Sequence, residues 1–165
     1  MAANCRYADG FTIWEKLYAQ ITFNVFCLTG LAAIALQDWR WALPYAVLYF
    51  GGVPFVIMRY LACPRCPHLW VYGDCVQLPS FLTKRLVKKR KTAPFNWFER
   101  TAFYAILGLL PLFPLPWLIG KPVMLTVFLV AAAGWYLGQW FHFCRHCRVQ
   151  QCPWNRVPPS APQPS

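Results

Sequence analysis

Six of the eight cysteines in this chain lie in two clusters that share one arrangement, a CxxC pair followed by one further cysteine. The clusters are Cys63-Pro-Arg-Cys66 with Cys75, and Cys144-Arg-His-Cys147 with Cys152. A two-residue spacer lets both sulfurs of a pair turn toward one ion, so two pairs supply the four thiolates of a tetrahedral zinc site. The spacing therefore predicts a cysteine-ligated metal site, with zinc favoured, shared between Cys63, Cys66, Cys144 and Cys147.

Other arrangements and other chemistry are open to the same residues. Further candidate ligands are Cys75, Cys152, His68 and His146, so two zinc ions could share the six cysteines, or each half of the chain could hold its own ion. Cysteine quartets also hold iron–sulfur clusters, and Cys152-Pro153 matches the Cys-Pro ending of ferredoxin motifs. A CxxC pair also serves as a redox dithiol or a carrier of soft metals. We expect no structural disulfides, because cytosolic thiols stay reduced.

The composition indicates a membrane protein. Of the 165 residues, 58% are hydrophobic and only 13% are charged, which is too few to cover the surface of a soluble domain of this size. The charges are bunched, and they leave four uncharged intervals close to the roughly 20 residues that a helix needs to cross the hydrocarbon core. The predicted spans are residues 17–37, 41–58, 101–120 and 122–144.

The basic residues predict the orientation of these spans. Of the 16 Lys and Arg residues, only Arg40 and Lys121 fall in the short turns within the two pairs of spans. All the others lie in the N-terminal segment, the central loop and the tail, which the positive-inside rule places in the cytosol. We therefore expect a multi-pass membrane protein with both termini in the cytosol.

The second half of the chain repeats features of the first. Residues 11–16 and 95–100 each contain an aromatic residue, a helix-capping residue, a Glu at the third helical position and a cation. Two predicted spans and a CxxC pair follow in each case. We therefore expect an all-α protein with four transmembrane helices, built as two parallel-repeat hairpins, and a cytosolic cysteine-rich cap. The halves are residues 1–94 and 95–152, and residues 153–165 are expected to be a disordered tail.

The central loop is strongly basic and carries a predicted lipid-binding segment. Leu82 and Leu86, with Val87 nearby, would form an apolar strip against the membrane, while the cations meet anionic headgroups. Lipid is favoured over nucleic acid because the segment adjoins membrane spans. The expected lipid-binding residues are Lys84, Arg85, Lys88, Lys89, Arg90 and Lys91.

Four residues within or beside the spans have simpler expected roles. Cys27 is expected to be a small buried residue rather than a reactive thiol. The spacing of Gly134 and Gly138 is typical of close helix packing. His142 is expected to be hydrogen-bonded at the membrane interface rather than to bind a metal or a quinone.

The sequence favours a role without catalysis of its own, although it leaves enzymatic activity open. It has no nucleotide-binding loop or Ser-His-Asp set, and its five acidic residues leave little for acid–base catalysis. The absence of charged residues from the spans argues against a pump. The favoured function is a scaffold or accessory subunit that binds a protein partner in a membrane complex. The alternatives are an iron–sulfur or dithiol electron-transfer subunit, and a soft-metal transporter or chaperone.

Overall fold

The computed structural model describes residues 11–70, 75–76, 83–85, 87–88, 95–146 and 154, and this part of the chain is helical without strands. Within it, the side chains of residues 55, 58, 59, 67, 68 and 146 are not described. The helices are α1 (Ile13–Ala35), α2 (Trp39–Ala46), α3 (Pro67–Trp70), α4 (Trp97–Leu112), α5 (Leu115–Leu118), α6 (Pro122–Leu137) and α7 (Cys144–His146). Two π-helical segments, Val47–Ala62 and Gly138–Phe143, continue α2 and α6. We call residues 39–62 the second stretch and residues 122–143 the fourth stretch.

The first helix of each half, α1 or α4, begins with a capping box. Thr12 Oγ1 accepts from the Glu15 N–H at 3.3 Å, and Glu15 Oε2 accepts from the Thr12 N–H at 2.8 Å. At α4, Asn96 Oδ1 accepts from the Glu99 N–H at 2.8 Å, and Glu99 Oε2 accepts from the Asn96 N–H at 3.1 Å. These reciprocal bonds satisfy N–H groups that have no partner inside the helix. The predicted box at Thr12 is confirmed, and its counterpart in the second half has the same form.

Three helical regions are long and apolar enough to cross a membrane: Ile13–Ala35, Trp97–Leu118 and Pro122–Phe143. They match the first, third and fourth predicted spans. The remaining prediction, residues 41–58, falls in the second stretch, which is helical throughout but changes from α to π winding at Val47. Pro44 and Pro54 lie inside that stretch. Its crossing of a membrane therefore stays a prediction.

The first helix of each half packs antiparallel to the last helical stretch of the other half. Near the start of α1, the Tyr18 hydroxyl donates to Gly134 O of the fourth stretch at 2.6 Å. Near the end of α1, Lys121 Nζ, just before α6, donates to Ala33 O at 3.4 Å. Because Tyr18 meets the later part of the fourth stretch and Ala33 meets its beginning, α1 and α6 run in opposite directions.

The second stretch and α4 are related in the same way. The Tyr45 hydroxyl, early in the second stretch, donates to Leu110 O, late in α4, at 3.1 Å. Further along the second stretch, Gly52 lies against Ile106, an earlier residue of α4. The turns of the two hairpins also meet, because Gln37 Nε2, after α1, donates to Trp117 O of α5 at 2.6 Å. Both hairpin turns therefore lie at one end of the bundle, and both cysteine segments lie at the other.

The core is aromatic, and α1 lies between the two stretches that carry the cysteine segments. The Phe23 ring is 5.7 Å from the ring of Tyr49 in the second stretch and 5.2 Å from that of Trp135 in the fourth. One pair of polar groups in this core is joined by a hydrogen bond, in which the Tyr49 hydroxyl donates to Asn24 Oδ1, whereas the buried Trp135 Nε1 has no hydrogen-bond partner among the described residues. Cys27 is fully buried, as predicted.

Gly138 lets Tyr18 close the interface between α1 and the fourth stretch. A Cβ at Gly138 would lie 2.6 Å from Tyr18 Cε1, and one at Gly134 would lie 3.6 Å from the Tyr18 hydroxyl. Turning the ring away would break the hydroxyl's bond to Gly134 O. The close packing predicted for these two glycines is confirmed.

Gly138→Ala is therefore expected to destabilise the bundle by about 1–3 kcal/mol, because the added methyl forces the Tyr18 ring to move. The measurement is the free energy of unfolding in mixed detergent micelles. Gly108→Ala is the matched control, since a Cβ at Gly108 in α4 would meet nothing within 4 Å. That control is expected to gain about 0.5–1 kcal/mol from reduced backbone entropy. Equal stability of the two variants would contradict the proposed contact.

Candidate metal and lipid site

The structure brings the three cysteines of the first cluster together where the second stretch ends. Cys63 begins a turn of 3₁₀-helix and packs with Leu69 and Val87, while Cys66 and Cys75 lie against the same small apolar cluster. The Cys63 thiol is hydrogen-bonded to Cys75. We call Cys63, Cys66 and Cys75, with the apolar residues around them, the first cysteine cluster.

The thiol of Cys63 is held in its neutral form. Its hydrogen bond with Cys75, its burial and the proximity of Cys66 all raise the pKa of Cys63 above its ordinary value. A metal ion bound here would have to displace the proton, so metal binding would release protons. As now arranged, the described His, Cys, Asp and Glu side chains include no group of three or more that could hold a metal ion.

The second cluster is described only in part. Cys144 begins α7 and is 9% exposed, directly after the fourth stretch. Cys147 and Cys152 lie outside the described residues, as do the side chains of His68 and His146. Trp154, two residues after Cys152, is described, and it packs against the bundle.

The Trp154 side chain packs between α4 and the fourth stretch. Its ring centroid is 5.6 Å from that of Phe103, 5.9 Å from that of Tyr136 and 6.4 Å from that of Trp135. Cys144 is therefore buried at the end of the fourth stretch, and Trp154 packs against the core of the bundle. The rest of the predicted disordered tail, residues 155–165, lies outside the described residues.

A buried ion pair joins the first cysteine cluster to the second half. Arg65, the spacer residue between Cys63 and Cys66, is 7% exposed, and its Nη2 donates to both carboxylate oxygens of Glu99 at 3.0 Å. Its Nη1 donates to Leu61 O at 3.3 Å, and its guanidinium lies 4.9 Å from the centre of the Phe95 ring. The capping Glu of α4 thus also fixes the CxxC turn of the first half.

The second cysteine segment is joined to the first half by a related contact. His142 Nε2 lies 3.0 Å from Glu15 Oε1, and the Phe11 and Phe143 rings are 6.2 Å apart. The prediction that His142 is hydrogen-bonded is confirmed. Each half's opening aromatic residue and capping Glu therefore contact the cysteine-bearing end of the other half.

Sequence reasoning missed these cross-half partners. It interpreted Glu15 and Glu99 as helix caps only and Arg65 as a spacer. The available signal was an Arg inside a CxxC motif directly after an apolar helix, where a charge needs a partner. Both capping glutamates stand at corresponding positions of the repeat, which made them candidate partners for residues of the other half.

The basic segment of the central loop contacts the first cysteine cluster. Lys84 and Arg85, in the helical turn 83–85, are exposed, and so is Lys88. Thr83 and Val87 are 2% and 5% exposed, and the Val87 N–H donates to Thr83 O at 2.9 Å. The segment therefore has a basic outer side and a buried inner side. Lys89, Arg90 and Lys91 lie outside the described residues, as does the strip predicted at Leu82 and Leu86.

Comparisons with known proteins do not add to this geometry. No protein-family model matches the chain, and neither curated proteins nor solved structures gave a match.

Proposed function

We propose that this chain is a small multi-pass membrane protein whose cytosolic end binds metal through its cysteines, with one ion in each half. Zinc is the favoured metal, because thiolates with imidazole are typical structural zinc ligands. The role is that of a scaffold or accessory subunit, in which the metal-ordered end binds a protein partner. The two proposed ligand sets are Cys63, Cys66, His68 and Cys75, and Cys144, His146, Cys147 and Cys152.

The observation that carries this proposal is the convergence of Cys63, Cys66 and Cys75 in one apolar cluster. A rearrangement of those three thiols and a fourth ligand would give the tetrahedral set that a zinc ion requires. A single site shared with Cys144 is less favoured, because α1 lies between the second and fourth stretches through Phe23.

Burial favours a retained ion over a transported one. Cys63 and Cys144 are 8% and 9% exposed, and Cys66 and Cys75 are half-buried, whereas a carrier must expose its thiols to exchange metal with a partner. The ion pair between Arg65 and Glu99 also fixes the CxxC turn on α4. A fixed, buried site fits a structural role.

Elemental analysis and an absorption spectrum of protein purified anaerobically test the proposal. The expected result is colourless protein with about two zinc ions per chain, one for each half. Iron and sulfide with visible absorption would instead support the electron-transfer alternative. Protein that neither retains nor takes up metal would contradict the proposed site.

Four membrane crossings with both ends in the cytosol complete the proposal. Both cysteine segments lie at the end of the bundle from which α1 and α4 begin, and almost all cations of the chain flank that end in sequence. We expect a protease recognition sequence appended after Ser165 to be cut in sealed inverted vesicles and protected in right-side-out vesicles. The reverse pattern would contradict the orientation.

Anionic lipid is the proposed partner of the basic segment. Lys84, Arg85 and Lys88 are exposed on its outer side. Cations next to a membrane helix are attracted to the negative cytosolic leaflet, with about 1 kcal/mol for each residue near the surface. Lys89, Arg90 and Lys91 would add to this charge if they lie on the same side.

A further inference from the structure

The segment that presents the exposed cations also covers the first cysteine cluster. Val87 is buried in one small apolar cluster with Cys63 and Leu69, and Thr83, one helical turn earlier, is also buried. Lys84, Arg85 and Lys88 point away from that contact into solvent. The segment therefore exposes its cations on one side and packs into the first cysteine cluster with the other side.

We propose that binding of anionic lipid headgroups to Lys84, Arg85 and Lys88 holds this segment on the first cysteine cluster and so controls access to its thiols. The inference rests on the proposed position of the segment at the cytosolic leaflet, but it does not require that the cysteines bind metal. Coupling of this kind is reciprocal. Any ligand of the thiols whose binding lipid strengthens must strengthen lipid binding by the same factor.

The physical basis is the difference between the docked and undocked segment. In the docked state, Val87 and Thr83 are buried while all three cations are exposed to solvent. In the undocked state the three cations are not held in fixed directions, and fewer of them contact lipid headgroups at the same time. Lipid therefore favours the docked state, and docking buries Val87 in the cluster that contains Cys63. The attraction acts over about a Debye length and weakens in salt.

The test uses the full chain, treated with a chelator, in nanodiscs of phosphatidylcholine with and without phosphatidylglycerol. An uncharged maleimide alkylates the thiols, and mass spectrometry follows Cys63 in the tryptic peptide of residues 60–65. We expect phosphatidylglycerol to slow alkylation of Cys63 by about fivefold or more. High salt should restore the faster rate.

Two variants separate the proposed coupling from a general effect of the acidic surface on thiol ionisation. In neutral lipid, the triple variant Lys84→Gln, Arg85→Gln, Lys88→Gln should alkylate Cys63 at the same rate as the unsubstituted chain, and phosphatidylglycerol should no longer slow that rate. Val87→Ala should alkylate faster in neutral lipid and also lose that dependence. Arg100→Gln removes an exposed cation at the same end of the bundle. It should behave as the unsubstituted chain does.

Several results would overturn the inference. Equal alkylation rates in the two lipids would show that lipid does not act on the cluster. Retained lipid dependence in the triple variant or in Val87→Ala would show that it acts through other residues. Protection by a short RNA in neutral nanodiscs, without protection by phosphatidylglycerol, would assign the cations to nucleic acid. Absence of bound metal would contradict the proposed function but leave this inference standing.

Discussion

Glu99→Gln is expected to lower the free energy of unfolding by about 3–5 kcal/mol, because it leaves the buried guanidinium of Arg65 without its counter-charge. Arg65 is 7% exposed and Glu99 is 15% exposed, so water cannot replace the lost carboxylate. The Gln side chain keeps an oxygen that can still cap α4. The loss therefore reports the ion pair between the halves rather than the helix cap. Equilibrium unfolding in mixed detergent micelles measures it.

Glu15→Gln is the matched control, since Glu15 occupies the corresponding position of the first half. Its partner His142 is 41% exposed, so water can solvate the imidazole when the carboxylate is removed. We expect a loss of about 1 kcal/mol or less. A Glu99 variant that is no less stable than the Glu15 variant would contradict the role assigned to Arg65.

A second substitution tests whether the cause is the unpaired charge. Adding Arg65→Met to the Glu99→Gln variant removes the charge and places an apolar side chain in the same space. The double variant should be more stable than Glu99→Gln alone, because replacing both partners of a buried pair is often nearly neutral. A further loss of stability instead would indicate that Arg65 acts mainly through its contact with Phe95.

Features that depend on near neighbours in the sequence were predictable. The capping box of Thr12 and Glu15 follows from a Thr, a three-residue spacing and an apolar helix. Three of the four predicted spans match helices long and apolar enough to cross a membrane. The spacing of Gly134 and Gly138 predicted a close helix contact, because only glycine leaves room for a side chain such as Tyr18 at that surface.

Features that depend on which helix lies against which were not predictable from spacing. The repeat predicted that both cysteine segments lie at one end, but not that Arg65 of one half would bind Glu99 of the other. Several cations stand nearer to Glu99 in the sequence than Arg65 does, and packing alone selects Arg65. The π winding of Val47–Ala62 was also missed. Its glycines and proline predicted a kink or a close contact, and the contact of Gly52 with Ile106 is present.

The basic segment shows a similar division between charge and packing. Its run of cations was visible in the sequence and predicted a lipid surface. That Val87 would pack in the same cluster as Cys63 was not predictable, because the path of the loop between them decides whether the chain returns to the cluster. Loop paths of this length are not encoded in local periodicity.

Loss of one cysteine pair is expected to remove one of two bound ions. Structural zinc typically contributes on the order of 10 kcal/mol of apparent binding free energy, so each ion would order its own cytosolic segment. Independent sites predict that the variant Cys63→Ser with Cys66→Ser keeps the ion of the second half. The variant Cys144→Ser with Cys147→Ser should keep the ion of the first half.

Metal content per chain for these two double variants and for their combination is the most direct test of one ion in each half. We predict half of the metal of the unsubstituted chain in each double variant and none in the combination. Cys27→Ser, at a buried position away from both segments, is the control and should keep all of the metal. Loss of all the metal from either double variant alone would contradict separate sites and show that Cys63, Cys66, Cys144 and Cys147 hold one shared ion.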